Sequence, residues 1–183
     1  VGDRSVITYV AMLRSVNVAG RTIKMAALRE LFAALGHADV VTYIQSGNVI
    51  FRSPERDGAE LAGDITERIG RDLGLDVSVL VRTRDDLSEV VKANPFPSRG
   101  ADPARLHVTF LAGRVDASSM GKIDPSAFGP DEFHAAGREL YLHCPGGYGT
   151  TKLNNAFWER RLKTIATTRN WNTVNKLLQM AHD

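Results

Sequence analysis

Val40-Val41-Thr42-Tyr43-Ile44-Gln45-Ser46-Gly47-Asn48-Val49-Ile50-Phe51 is the stretch that decides the fold. Two runs of β-branched and aromatic residues flank Gln45-Ser46-Gly47, and Gly47 and Asn48 both accept positive φ. The segment therefore reads as a hairpin with strands over 40–44 and 48–51. Upstream, residues 24–35 carry Met25, Leu28, Leu31, Phe32 and Leu35 at helical spacing, with Gly36 as the stop. Before them, residues 6–14 alternate as a strand. Downstream, Leu61, Ile65, Ile69 and Leu73 recur every four residues in a helix over 59–73 closed by Gly74, and 76–81 form another strand. The order is β-α-β-β-α-β, the ferredoxin-like arrangement.

A helix over 85–92 ends before Asn94-Pro95-Phe96-Pro97, where two prolines break the periodicity. Beyond Asp102-Pro103 the pattern restarts. A strand over 106–111 is followed by a short helix over 117–123 and a hairpin of 132–136 and 139–143 around Gly137-Arg138. A helix over 152–162, a strand over 164–168 and a helix over 171–180 complete the chain. The expectation is an α+β protein of two ferredoxin-like modules, the second degenerate, with a C-terminal helix. Residues 1–84 form the first module, 85–104 a helix and Pro-rich connector, and 105–183 the second module with a basic final segment.

The chain has 183 residues, 43% of them apolar and 24% charged, which is the composition of an ordered globular protein. Its one cysteine excludes an intrachain disulfide framework and any Cys-based zinc site. Nothing in the sequence implies a cofactor. With 23 Lys+Arg against 21 Asp+Glu, a general polyanion binder is excluded. The balance is uneven along the chain: residues 85–144 hold 6 bases and 9 acids, whereas residues 145–183 hold 6 bases and 2 acids. No run approaches the roughly 18 apolar residues of a membrane span. The strand pattern begins almost directly after Val1-Gly2-Asp3-Arg4-Ser5, which leaves no room for a signal peptide, and a reducing cytoplasmic location is expected.

Polar loops carry the candidate chemistry. Cys144-Pro145-Gly146-Gly147-Tyr148-Gly149-Thr150-Thr151-Lys152 leads from a strand into a helix. Its glycines free backbone N–H groups to face an anion, Thr150 or Thr151 offers a helix cap, and Lys152 adds charge. The spacing is not that of the G-x-x-x-x-G-K-[ST] phosphate loop. Thr167-Thr168-Arg169-Asn170-Trp171-Asn172-Thr173 offers a guanidinium fork for phosphate or carboxylate together with neutral hydrogen bonds, and Thr168 or Asn170 also suits a helix cap with Trp171 buried. Arg14 and Asn17 stand in the loop after the first strand. Gln45 and Asn48 are turn chemistry unless that turn lies beside the first loop. The five histidines form no H-x-x-x-H pair, and neither G-x-S-x-G nor H-E-x-x-H is present. His107 and His143 fall in neighbouring strands of the second module and read first as structural. The aromatic signature of RNA-binding ferredoxin-like domains is absent, so nucleic acid is an unsupported partner.

Three long strings resemble the domain of unknown function 1697 family, a bacterial group of small cytoplasmic proteins. They are Tyr9-Val10-Ala11-Met12-Leu13-Arg14-Ser15-Val16-Asn17-Val18-Ala19-Gly20, the hairpin string 42–51, and Lys152-Leu153-Asn154-Asn155-Ala156-Phe157 followed by 166–173. Where the family's first motif reads Leu-Arg-Gly-Ile-Asn-Val-Gly-Gly, this chain has Ser15 and Ala19, and each adds a Cβ. Thr150 stands where a basic residue is common. The resemblance implies no reaction, substrate or cofactor. It does imply that the polar strings are the family's hallmarks, and hence that Arg14, Asn17, Gln45, Asn48, Lys152, Arg169, Asn170 and Asn172 belong to one or two shared sites. The expectation is binding of a small polar or anionic ligand, a nucleotide or phosphate-bearing metabolite, through Arg/Lys, Asn and backbone amides. An enzyme acting on a phosphate-bearing substrate, and a nucleic-acid or protein interaction module, stay open as alternatives.

Overall fold

Leu28, Leu31 and Phe32 on α1 (Met25–Ala34) and Leu61, Ile65 and Ile69 on α2 (Gly58–Leu73) are the buried faces of two amphipathic helices. They close over Tyr9, Ala11, Leu13, Val49, Phe51, Val79 and Val81 to make one core. Those residues alternate along β1 (Ile7–Leu13), β3 (Asn48–Ser53) and β4 (Val79–Thr83), which with β2 (Ala38–Tyr43) form an antiparallel sheet in the order β2-β3-β1-β4. The computed structural model describes residues 5–14, 22–43 and 47–183. Helix α2 starts where the Asp57 carboxylate accepts the N–H groups of Ala59 and Glu60, and ends at Gly74, whose φ of 66° lets its N–H return to Gly70 O.

A second sheet repeats the connectivity. Strands β5 (Leu106–Leu111), β6 (Glu132–Ala136), β7 (Glu139–His143) and β8 (Ala166–Asn170) pair antiparallel in the order β6-β7-β5-β8. Between them lie the short α4 (Ala117–Met120) and α5 (Asn155–Leu162). Phe157 and Trp158 of α5 pack on Leu111, Leu140, Leu142 and Ala166. Each fourth strand runs straight into a helix, β4 into α3 (Arg84–Ala93) and β8 into α6 (Trp171–His182). The protein is thus mixed α+β, with two four-stranded antiparallel sheets and six α-helices among the described residues.

The two sheets share a register. Val10 lies between Ile50 and Arg82 as Val108 lies between Tyr141 and Arg169. Both arginines are buried, at 2% and 7% exposure, and each donates from Nη1 to the carbonyl of the residue before it, Val81 at 3.1 Å and Thr168 at 3.0 Å. The chain divides into two compact units, Val1–Ser88 with Leu177–Asp183, and Glu89–Lys176. The division therefore falls inside α3 and inside α6.

Alternation in 6–14 implies one wet face, yet β1 is buried continuously from Tyr9 to Leu13. In the first unit, Met180 of α6 lines a cleft with Thr8 and Ile50 on the face away from α1 and α2. In the second, the Tyr141 hydroxyl on the equivalent face donates to Val90 O of α3 at 2.8 Å. Met180 is distant from β1 in sequence, and local periodicity does not encode its return to the first unit. The fourth strands also lie about two residues later than their apolar runs suggest. Thr83 and Asp86 cap each other reciprocally, Thr83 N–H to Asp86 Oδ2 at 2.9 Å and Asp86 N–H to Thr83 Oγ1 at 3.0 Å, so the strand extends to the first residue of the helix. No helix among the described residues is long and apolar enough to cross a membrane.

Candidate functional site

The Gly-rich loop leaves β7 through Cys144, whose N–H bonds Arg105 O at 2.9 Å. Gly147 adopts φ 99°, ψ 154°, a region closed to other residues, and a Cβ there would meet Arg105 Nη1 at 3.2 Å. Its N–H is taken by Cys144 O, and that of Thr151 by Tyr148 O. Thr151 Oγ1 donates to Asp131 Oδ2 at 2.7 Å and accepts the Leu153 N–H at 3.1 Å. The cap of α5 is Asn154, which accepts the Phe157 N–H at 2.9 Å, rather than Thr150 or Thr151. Lys152 is exposed, two residues ahead of that cap. The loop's chemistry therefore comes from the side chains along it more than from a nest of amides.

Two guanidinium groups flank this loop. Arg105 is exposed and stands against Gly147. Arg169 is buried on β8, its Nη1 donating to Thr167 Oγ1 at 2.8 Å as well as to Thr168 O. Burial pushes its pKa down to about 10, and the nearby Tyr148 partly opposes that fall. The group stays charged at neutral pH. Tyr148 in turn stacks on His107, ring centroids 4.7 Å apart and planes 24° apart. His107 Nδ1 is buried with no hydrogen-bond partner, and burial lowers the imidazole's pKa, keeping it neutral. Burial also raises the Cys144 thiol, against a hydrogen bond with Thr151, which leaves it unreactive. No group of three or more His, Cys, Asp or Glu among the described residues is placed to hold a metal.

His107 sets a pH prediction. A base with a depressed folded pKa binds protons more readily when unfolded, so its stability contribution is full above about pH 6.5 and is lost as pH falls below it. His37, lowered chiefly by burial against a smaller raising effect of Asp64, has the same sign. Urea unfolding at pH 7.5 and pH 5.0 should show a loss at the lower pH that His107→Phe reduces. An equal loss in that variant would remove His107 as a cause.

The other candidates divide between the units. Arg14 and Asn48 belong to the first, and Lys152, Arg169, Asn170 and Asn172 to the second. Asn17 and Gln45 lie outside the described residues. Asn48 is fully buried and its Nδ2 donates to Tyr43 O at 3.2 Å across the hairpin. Arg14 is half-buried, its N–H bonding Ser78 O. Asn170 caps α6 by accepting the Thr173 N–H at 2.8 Å, and Asn172 is exposed in that helix's first turn. Asn170→Ala should cost about 1 kcal/mol in thermal unfolding and Asn170→Asp nearly nothing, since either side chain caps. Thr168 and Asn155 of these strings also bond one another: Thr168 Oγ1 donates to Asn155 Oδ1 at 2.6 Å, and it contacts Thr109 Oγ1 of β5 at 2.8 Å. His107 and His143 sit on adjacent strands but on opposite faces, because His107 pairs with Leu142. Arg105 carries no sequence signal of its own; the pairing of β5 with β7 brings it beside the loop.

The fold and the polar loops define a mixed α+β protein of repeated sheet topology. The chain belongs to the family described as protein of unknown function (DUF1697), whose profile matches residues 6–141. The strings after Lys152 lie beyond that match. The solved structure of the conserved bacterial protein SP0830 from Streptococcus pneumoniae has the same fold, with a TM-score of 0.75 over 97% of this chain and 99% of that one at 22% identity. No curated protein matches the chain.

Proposed function

We propose that the chain binds a small phosphate-bearing ligand, a nucleotide or phosphorylated metabolite, beside the Gly-rich loop of its second unit. Arg105, Arg169 and Lys152 supply the positive charge, and the Tyr148–His107 stack supplies a flat wall. The observation that carries this reading is Arg169, a guanidinium only 7% exposed yet charged at neutral pH, next to Tyr148 of that loop. A buried cation is costly to keep and is commonly retained for a ligand. The repeated strand order supports reading each unit as a ferredoxin-like module.

The test is a thermal-shift panel of nucleoside monophosphates, sugar phosphates and inorganic phosphate. At least one should raise Tm, by mass action on the folded state. That shift should disappear in Arg169→Gln and shrink in Arg105→Gln. A shift unchanged in both variants, or none from any compound, would overturn the proposal. His107 favours a second reading, catalysis on the same ligand, because a neutral imidazole stacks on Tyr148 of the loop. Turnover of a stabilising compound, lost in His107→Gln while binding persists, would establish it.

A further inference from the structure

Two adjoining cavities open on the first unit, the first of them on the sheet face turned away from α1 and α2. One, of about 340 Å³, is lined by Val41, Ile50 and Met180 together with Arg52, Asp39 and Asp183. The other, of about 260 Å³, is lined by Thr83, Arg84, Asp85 and Arg52. Thr8 and Arg52 border both. They are cross-strand partners on β1 and β3, so their side chains form the ridge between the two cavities.

The two halves differ in character. The first has an aliphatic floor, and Val41 is 47% exposed there, one of few large apolar side chains so open to water. Its charged lining is two carboxylates against one guanidinium. The second carries two guanidiniums against one carboxylate, and that carboxylate, Asp85, is 90% exposed. A negative head group is therefore repelled from the first cavity and drawn to the second. Asp39 owes its position to an irregularity. It has φ 51° at a register shift between Ala38 and Val41 in β2, a bulge that turns its carboxylate towards Arg52 on β3, 3.6 Å away. That pair is largely solvated, as is Arg84 with Asp85 at 3.7 Å, so both arginines exchange partners at little cost.

We propose that these cavities form a second binding site, distinct from the Gly-rich loop, for a small amphipathic anion with a carboxylate or phosphate head and an aliphatic body. The head meets Arg52 and Arg84, and the body lies on Val41, Ile50 and Met180. Asp39 and Asp183 fix the orientation by excluding the reverse pose.

Calorimetric titration of the full chain with hexyl phosphate, below its micelle concentration, tests this. Saturable binding is expected, weakening about fourfold for each methylene removed down to propyl phosphate. Arg84→Gln, a change at an exposed residue, should weaken hexyl phosphate at least tenfold. Arg105→Gln, at the loop of the other unit, should leave unchanged the binding component that Arg84→Gln weakens. Hexylammonium binding as well as hexyl phosphate, inorganic phosphate binding equally well, or full affinity in Arg84→Gln would each overturn the proposal. Loss in Arg105→Gln alone would assign the compound to the Gly-rich loop and overturn it too.

Discussion

Replacing Trp158 by alanine is expected to destabilise the second unit by about 3–5 kcal/mol. Trp158 is the largest fully buried side chain of the described residues. Its ring meets Phe133 edge-on at 5.2 Å and Phe157 at 4.9 Å, and its Nε1 donates to Leu153 O at 3.1 Å. Alanine would forfeit the apolar burial, leave a cavity that the sheet cannot collapse into, and strand the Leu153 carbonyl. Trp158→Phe separates these losses: it keeps most of the packing and removes only the indole donor, at roughly 1–2 kcal/mol. Urea unfolding followed by far-UV circular dichroism measures both. A loss under 1 kcal/mol for Trp158→Ala would show that α5 docks without this residue. The consequence reaches the polar loop, since Leu153 and Asn154 lie between Thr151 and α5 and are held by the same contacts.

Much of the frame is legible because its signals are local. The hairpin at 40–51 needs only β-formers around Gly47, and α2 needs only a fourfold apolar spacing and Gly74, which adopts the left-handed cap expected of it. What escapes is whatever depends on distant residues. The second face of β1 reads as half-polar yet is buried, and the inclusion of Leu177–Asp183 in the first unit is equally invisible to local pattern. The ends of β4 and β8 escape because Thr83 and Asn170 serve as both strand residues and helix caps. The site is legible to the same degree. Arg169 and the Gly-rich loop stand out as unusual strings, and Arg105 and Arg169 both lie beside that loop. Asn48 and Asn170 stood out equally, yet each satisfies backbone groups. The stack of Tyr148 on His107 joins residues far apart in sequence through the register of β5 on β7, and no spacing rule announces it.

Arg169→Met should give a protein at least as stable as the parent chain that no longer responds to phosphate compounds. Burial pulls the guanidinium down from its ordinary range to about 10. At about 1.4 kcal/mol per pH unit, that is roughly 3 kcal/mol of desolvation cost in the folded state. Its hydrogen bonds, those to Thr167 Oγ1 and Thr168 O among them, offset part of that cost. Methionine fills similar volume without the charge. The sign can be checked independently through pH. Above about pH 10 the unfolded chain holds a proton on this group that the folded one has released, so the parent chain gains stability relative to Arg169→Met as pH rises. Titrations of lysines and tyrosines remote from this group are common to both proteins and cancel in the difference. A residue kept as a structural strut would behave the other way: its loss would cost several kcal/mol and the gap would not close in alkali. Stability retained with ligand response lost is the pattern of a charge held against its own burial cost for the sake of what it binds.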